Sequence, residues 1–213
     1  MVFMLSRIAT KLNTFWMRAT YPFAYFGRSV SIHYSCEVLR PVTKYIQVGD
    51  NVGIGRDVWL NVTTDPEKTN PCIVLKDGCK IGRRSTISAR NFICLEENVL
   101  LAPSVLIMDH NHEYSNPNKP IHEQGTSEGG RILIGQNCWL GHGAVIFCSK
   151  GELVLGQNTV VGANAVVTRS FPARSVVAGN PAKLVRKYDE DSREWVRVND
   201  TNYRDDSQVI DKN

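Results

Sequence analysis

The run Asp109-His110-Asn111-His112-Glu113-Tyr114 concentrates more chemistry than any other stretch of the chain. Histidine titrates near neutrality, so a positioned imidazole takes a proton from a hydroxyl and returns it to a leaving group. His110 and His112 are two residues apart, and on an extended segment both reach one ion, with His122 or His142 as a third ligand. A solvated polar loop is the plain alternative. A second group follows in Cys138-Trp139-Leu140-Gly141-His142-Gly143-Ala144. An aromatic such as Trp139 covers the flat or apolar part of a ligand, and Gly141 and Gly143 leave backbone N–H groups open to a ligand or an oxyanion. Burial of Trp139 under a loop or a neighbouring subunit accounts for it as well. Arg169, Lys183 and Arg186 form a third group whose cations suit a phosphorylated ligand, or simply a solvated face.

These groups hang on a six-residue pulse. Val48, Ile54 and Leu60 are in phase, as are Leu75, Ile81 and Ile87, then Leu95, Leu101 and Ile107; Ile134, Leu140 and Ile146; and Leu155, Val161 and Val167. Gly stands second in several hexads (Gly49, Gly55, Gly82, Gly135, Gly141, Gly156, Gly162), where it is expected to relieve backbone strain near a corner. The fifth position is small or β-branched, as at Val52, Cys79, Ala144 and Ala165. Period six is neither helical nor alternating, and reads as a parallel β-helix in which three hexads make one triangular coil. Each coil buries its core only against its neighbours, so end caps are expected. Three breaks interrupt the pulse: 63–74, 149–154, and a long excursion at 109–131 that carries three of the five histidines. Long excursions from a regular scaffold are usually functional.

At 213 residues and net charge +4 the chain is one domain with appendages, without the basic blocks or aromatic motifs of a nucleic-acid binder. None of the six cysteines forms a Cys-x-x-Cys pair, so they read as reduced and the protein as intracellular, with Cys148 the one to watch. Residues 1–28 form an N-terminal amphipathic segment: Phe3, Leu5, Ile8, Leu12, Phe15 and Trp16 recur at helical spacing with Arg7, Lys11 and Arg18 on other faces. It is too short and too charged to span a bilayer and lacks the features of a signal peptide. Two readings stand: a peripheral membrane contact through residues 1–20, or a helical cap on the open coil. Residues 29–187 hold the repeat, and 188–213 a charged tail in which Trp195 and Val198 are candidates to dock a short helix.

The specific motifs are Asn98-Val-Leu-Leu-Ala-Pro103, the histidine excursion, Ile134-Gly-Gln-Asn-Cys-Trp-Leu-Gly141 and Val177-Ala-Gly-Asn-Pro-Ala-Lys-Leu-Val-Arg186. On these the chain resembles the hexapeptide-repeat acyltransferases over residues 26–187. The likeness is greatest to the branch of galactoside, maltose and nodulation-factor acetyltransferases, and within it to O-acetyltransferases of bacterial surface polysaccharides. The resemblance implies an all-β solenoid, a left-handed parallel β-helix. It implies a homotrimer that takes acetyl-CoA as acyl donor and a saccharide as acceptor, with no metal. It places the catalytic base on His112, with His110 the second choice. It places the donor site on Trp139, Gly141, His142, Ala163, Thr168, Arg169, Lys183 and Arg186; His142 departs from the small residue usual there. A carboxylate orienting His112 is expected among Asp109, Glu113, Glu123 and Glu128. The implied location is cytoplasmic, in reach of the inner membrane face, where surface polysaccharides are assembled. Other readings are an N-acetyltransferase of an amino sugar nucleotide, a zinc carbonic anhydrase of the same fold, and a non-catalytic scaffold.

Overall fold

The computed structural model describes residues 2–63 and 70–198. Inward-pointing aliphatic residues every six positions force the chain to turn after each short strand, and it passes through three parallel sheets in rotation. The first sheet contains Tyr25–Phe26, Ile46–Val48, Ile73–Leu75, Phe92–Leu95, Arg131–Ile134 and Glu152–Leu155. The second runs from Ser31–Ile32 through Gly53–Ile54, Lys80–Ile81, Leu100–Leu101, Trp139–Leu140 and Val160–Val161 to Ser175–Ala178. The third holds Trp59–Val62, Thr86–Ala89, Leu106–Met108, Val145–Phe147 and Val166–Val167.

Register follows the pulse. Val48, Leu75, Leu95, Ile134 and Leu155 are successive partners in the first sheet. Ile54, Ile81, Leu101, Leu140 and Val161 align in the second. Leu60, Ile87, Ile107, Ile146 and Val167 align in the third. Every one of these residues is 3% exposed or less. The ladders therefore stack like on like into one continuous apolar column. The fifth-position residues, including Cys79, Ser85, Cys138, Ala144 and Thr159, are also buried. The winding starts before the first counted hexad, since Phe26 pairs with Val48 and Ile32 with Ile54. It continues past the last, where Phe171 bridges Leu155 and Val177 pairs with Val161.

The corners correct the expected role of glycine. Second-position glycines have no positive φ; a Cβ on Gly82, Gly135 or Gly141 would sit 2.5–2.7 Å from the backbone of the next coil. They are needed for close approach between coils. The strained torsion falls two residues later. Asn51, Asp57, Gly78, Arg84, Asn98, Ser104, Asn137, Gly143, Asn158 and Asn164 all have φ between 57° and 76°. These are the corners leaving the first and second sheets, where Asn, Asp and Gly best tolerate the left-handed region.

The helix Val2–Thr20 sits on the open end of the second sheet, with Thr14 exchanging hydrogen bonds with both Ile32 N and Ile32 O. It covers that end with its polar side and with Met17, which joins the core; Leu5, Ile8, Leu12, Phe15 and Trp16 face solvent. At the other end the chain reverses. Lys183–Asp189 pairs antiparallel with Ser175–Ala178 and then with Glu194–Arg197, so Trp195 lies on a strand where a short docked helix was expected. Tyr188 and Trp195 pack edge to face across this hairpin. The last part of the expected tail, 199–213, lies outside the described residues.

Candidate active site

The long excursion leaves and re-enters the coil through a closed neck. Asp109 O accepts from Gly130 N at 2.7 Å, Asn111 O from Ser127 N at 2.8 Å, and Gly125 O from Glu113 N at 3.0 Å. His112 and Thr126 form an antiparallel bridge between the two sides. Gly130 is required on the return, because a Cβ there would lie 2.4 Å from Cys148 O. Farther out, the Gln124 amide donates to Asn116 O at 2.9 Å and to Lys119 O at 2.7 Å.

Two histidines in adjacent register have opposite surroundings. Asp109 is fully buried, and its carboxylate accepts from Arg90 N, Asn91 N and Phe92 N at 2.7–2.8 Å. The same carboxylate lies 3.0 Å from Nδ1 of the buried His110, whose Nε2 lies 3.5 Å from Thr63 Oγ1. Both ring nitrogens of His110 thus have partners, and His110 is not among the residues lining the pocket at His112. Among the described residues no three His, Cys, Asp or Glu groups converge as a metal site. Asp109 is committed to these four partners, and among the described residues its carboxylate makes no hydrogen bond to His112. Glu123 faces His122 at 3.8 Å.

His112 is exposed on the neck, its backbone N–H donating to Asn111 Oδ1 at 2.9 Å. It lines a pocket of about 440 Å³ with Glu113, Tyr114, Ser127, Glu128 and Lys150. Sequence reasoning did not place Ser127 or Lys150 there. The available signal was the phase of the interruptions: all three breaks follow a third-sheet hexad, so they stack on one edge of the coil.

The remaining candidates divide. Trp139, half exposed, lies on the second sheet between Leu100 and Val160. Gly141 and the exposed His142 make the next corner, and His142 O accepts from Asn164 N beside the exposed Ala163. Lys183 and Arg186 pair with Ala178 and Val176 at the end of the same sheet, and both are exposed. Thr168 and Arg169 follow the last third-sheet strand, the Arg169 guanidinium lying over the Phe171 ring at 5.0 Å. One chain therefore gathers Trp139, Gly141, His142, Ala163, Lys183 and Arg186 along the second sheet and its edge. It holds His112, with Thr168 and Arg169, at a different corner. Burial pushes the thiols of Cys36 and Cys94 up to about 12 and those of Cys79 and Cys138 up to about 11, which keeps them protonated near neutrality. Cys148 is raised by burial too, and its Sγ donates to Lys150 O at 3.3 Å.

No protein-family model matches the chain. A provisionally named lipopolysaccharide biosynthesis O-acetyl transferase of Escherichia coli, WbbJ, is 32% identical over 133 residues, 59% of this chain and 66% of its own length. Galactoside O-acetyltransferase of the same organism is 26% identical over 155 residues, 71% of this chain and 61% of its own. The chain belongs to the hexapeptide-repeat acyltransferases. It spans less than two thirds of the length of these relatives. Among solved structures, the fold is shared with the N-acyltransferase AntD of Bacillus cereus, determined with dTDP and 3-hydroxybutyryl-CoA. That match has a TM-score of 0.65 at 16% identity and covers 80% of this chain and 86% of AntD. It is shared also with the acetyltransferase domain of PglB from Neisseria gonorrhoeae bound to acetyl coenzyme A. There the TM-score is 0.51 at 21% identity, covering 75% and 58%. The repeat of this chain is the frame and the histidine excursion the departure from it.

Proposed function

We propose that this member of the family is an acetyl-CoA-dependent O-acetyltransferase acting on a sugar hydroxyl in the synthesis of a bacterial surface polysaccharide or lipopolysaccharide. It works as a trimer of left-handed coils. The observation that carries the reading is the division of the site. The exposed imidazole of His112 and the Trp139–Lys183–Arg186 surface occupy different edges of one chain, and a neighbouring copy supplies the missing half of each site. Trp139 then covers the apolar arm of acetyl-CoA, while Lys183 and Arg186 pair with its phosphates. The donor fits the exposed aromatic and cationic groups present on the second sheet.

Transfer is direct. A ring nitrogen of His112 takes the acceptor O–H proton, and the oxygen forms a bond to the thioester carbonyl carbon. The backbone N–H groups of Gly141 and Gly143, expected from the sequence to be open to an oxyanion, instead donate to Val161 O at 2.8 Å and Pro103 O at 3.1 Å and do not hold it. The C–S bond breaks, and the imidazolium returns its proton to the departing thiolate, giving the O-acetyl sugar and the free thiol. Glu113 and Glu128 line the pocket with His112, which supports them as the candidates for the carboxylate that orients the imidazole.

The test is complementation. His112→Ala and Trp139→Ala proteins, each inactive alone, are unfolded together, refolded as a mixture and assayed for free thiol against a panel of sugars. Recovered activity in the mixture supports a site shared between copies; none, with mixed trimers present, overturns it. Lys183→Ala/Arg186→Ala raises KM for acetyl-CoA and leaves that for the sugar unchanged. Preference for an amino sugar nucleotide over every hydroxyl acceptor would move the assignment to N-acetyl transfer.

A further inference from the structure

The N-terminal helix inserts Met17 into the core but turns a larger stripe of apolar residues away from the coil it caps. At about 100° per residue, Met4, Leu5, Ile8, Leu12, Phe15 and Trp16 fall on one side of the helix. Each is between 45% and 72% exposed. The opposite side touches the coil through Met17, which is buried in the core, and through polar groups. Thr14 Oγ1 donates to Ile32 O at 3.2 Å and accepts from Ile32 N at 3.0 Å, and Asn13 Nδ2 donates to Ile32 O at 3.3 Å. Ser6 Oγ lies 3.4 Å from His33 Nε2. Ile32 belongs to the terminal strand of its sheet, so the apolar face looks outward from the end of the coil. A surface helix ordinarily turns its apolar stripe inward.

Charge accompanies that face. Arg7 and Lys11 are exposed on its flank, and the first 36 residues contain no Asp or Glu. Trp16 stacks edge-on against Tyr21 at 5.2 Å, extending the surface with rings that have an apolar body and a polar edge. No helix among the described residues is long and apolar enough to cross a membrane.

We propose that this face docks the protein on an anionic lipid bilayer, with the helix lying in the headgroup plane and Leu5, Ile8, Leu12, Phe15 and Trp16 inserted. A second copy is the weaker occupant. Apposing two such helices brings Arg7 and Lys11 toward the same residues of the partner helix with no acid to pair them, whereas anionic headgroups neutralise both. The proposal does not depend on the transfer chemistry. Three copies side by side would present three such faces together and multiply a weak contact, a point that rests on the trimer proposed above.

Flotation of the full chain with phosphatidylglycerol–phosphatidylethanolamine vesicles, against pure phosphatidylcholine, is the test. Binding is expected to the anionic vesicles, to be reversed by high salt, and to fall roughly tenfold or more in Leu12→Glu/Phe15→Glu, whose helix–coil contacts are untouched. Equal partition with both lipids, or none with either, overturns the proposal. So does a double variant that floats like the parent, or one that changes only self-association by light scattering. Independently, brominated phosphatidylglycerol should quench tryptophan fluorescence less in Trp16→Phe than in the parent; equal quenching overturns the insertion.

Discussion

At the corners leaving the first and second sheets, the residue four places into the hexad takes a left-handed torsion: Asn51, Asn98, Asn137 and Asn158 at one, Asp57, Ser104 and Asn164 at the other. At the corner leaving the third sheet the equivalent places hold Thr63, Arg90, His110 and Ser149, none with a positive φ. The first two corners turn within the hexad. The third is where the chain departs, as the long excursion, as the short loop at Ser149, and after Thr63. A tight turn repeated at every coil fixes the path and leaves nothing to vary. Releasing one edge from that turn gives a place for loops and a pocket without disturbing the stack. The difference teaches that regularity in this molecule is selective: two edges repeat one tight turn, and the third is where loops leave the coil.

The comparison can be broken at its most sensitive point by exchanging the two histidines' fates. His112→Ala is expected to lower kcat by 10²–10⁴-fold, the usual cost of losing a general base, with the melting temperature unchanged. His110→Ala should do the reverse in kind, lowering stability while reducing the rate far less; inverted effects would put the base on the wrong residue. Next in size is the anchor of the third corner. Asp109→Ala strands three part-buried backbone N–H groups, and at about 1 kcal/mol for each the loss in denaturant unfolding should be roughly 3 kcal/mol. A loss under about 1 kcal/mol would show that the neck holds without it. The ordinary corners should respond in a different currency. Asn158→Ala is expected to cost about 1 kcal/mol through its left-handed torsion and Asn158→Gly close to none, while Ser149→Ala at the third corner is near neutral. Equal costs for the two alanine variants would erase the distinction.

The smallest effect lies at the helix seat. Desolvation, followed by Arg56, lowers the pKa of His33 below its ordinary 6.5. The unfolded chain then takes up the proton first, so the stability contributed by neutral His33 is complete above pH 6.5 and declines as pH falls through the folded value. The melting temperature should therefore drop less between pH 7 and 5 in His33→Asn than in the parent. An identical drop would mean that His33 titrates as freely folded as unfolded.

The coil was legible because its signal is repeated: an aliphatic residue every six places survives any single exception, and the ladders kept that phase. Phe26, Ile32 and Phe171 were missed because a single turn at either end has no second copy to confirm it. Glycine was read for torsion when its task is close approach, since a sequence shows a missing side chain without showing what would collide with it. Asp109 looked like a partner for His112 by adjacency. Its partners are backbone groups of Arg90, Asn91 and Phe92, one coil away, and backbone donors leave no mark in the sequence. The apolar face of the first helix was legible as a pattern, but its outward direction depended on Thr14 and Asn13, whose contacts with Ile32 only the fold supplies.

The closed neck has a consequence for how this protein diversifies. Asp109 O and Gly130 N meet whatever lies between them, so the segment from His112 to Glu128 is tied off from the coil like a bead on a clasp. Doubling the length of such a loop adds only about 0.6 kcal/mol of closure entropy. Insertion, deletion or exchange between Tyr114 and Gln124, beyond the neck, is therefore expected to leave the coil intact, with the clasp and its buried carboxylate kept.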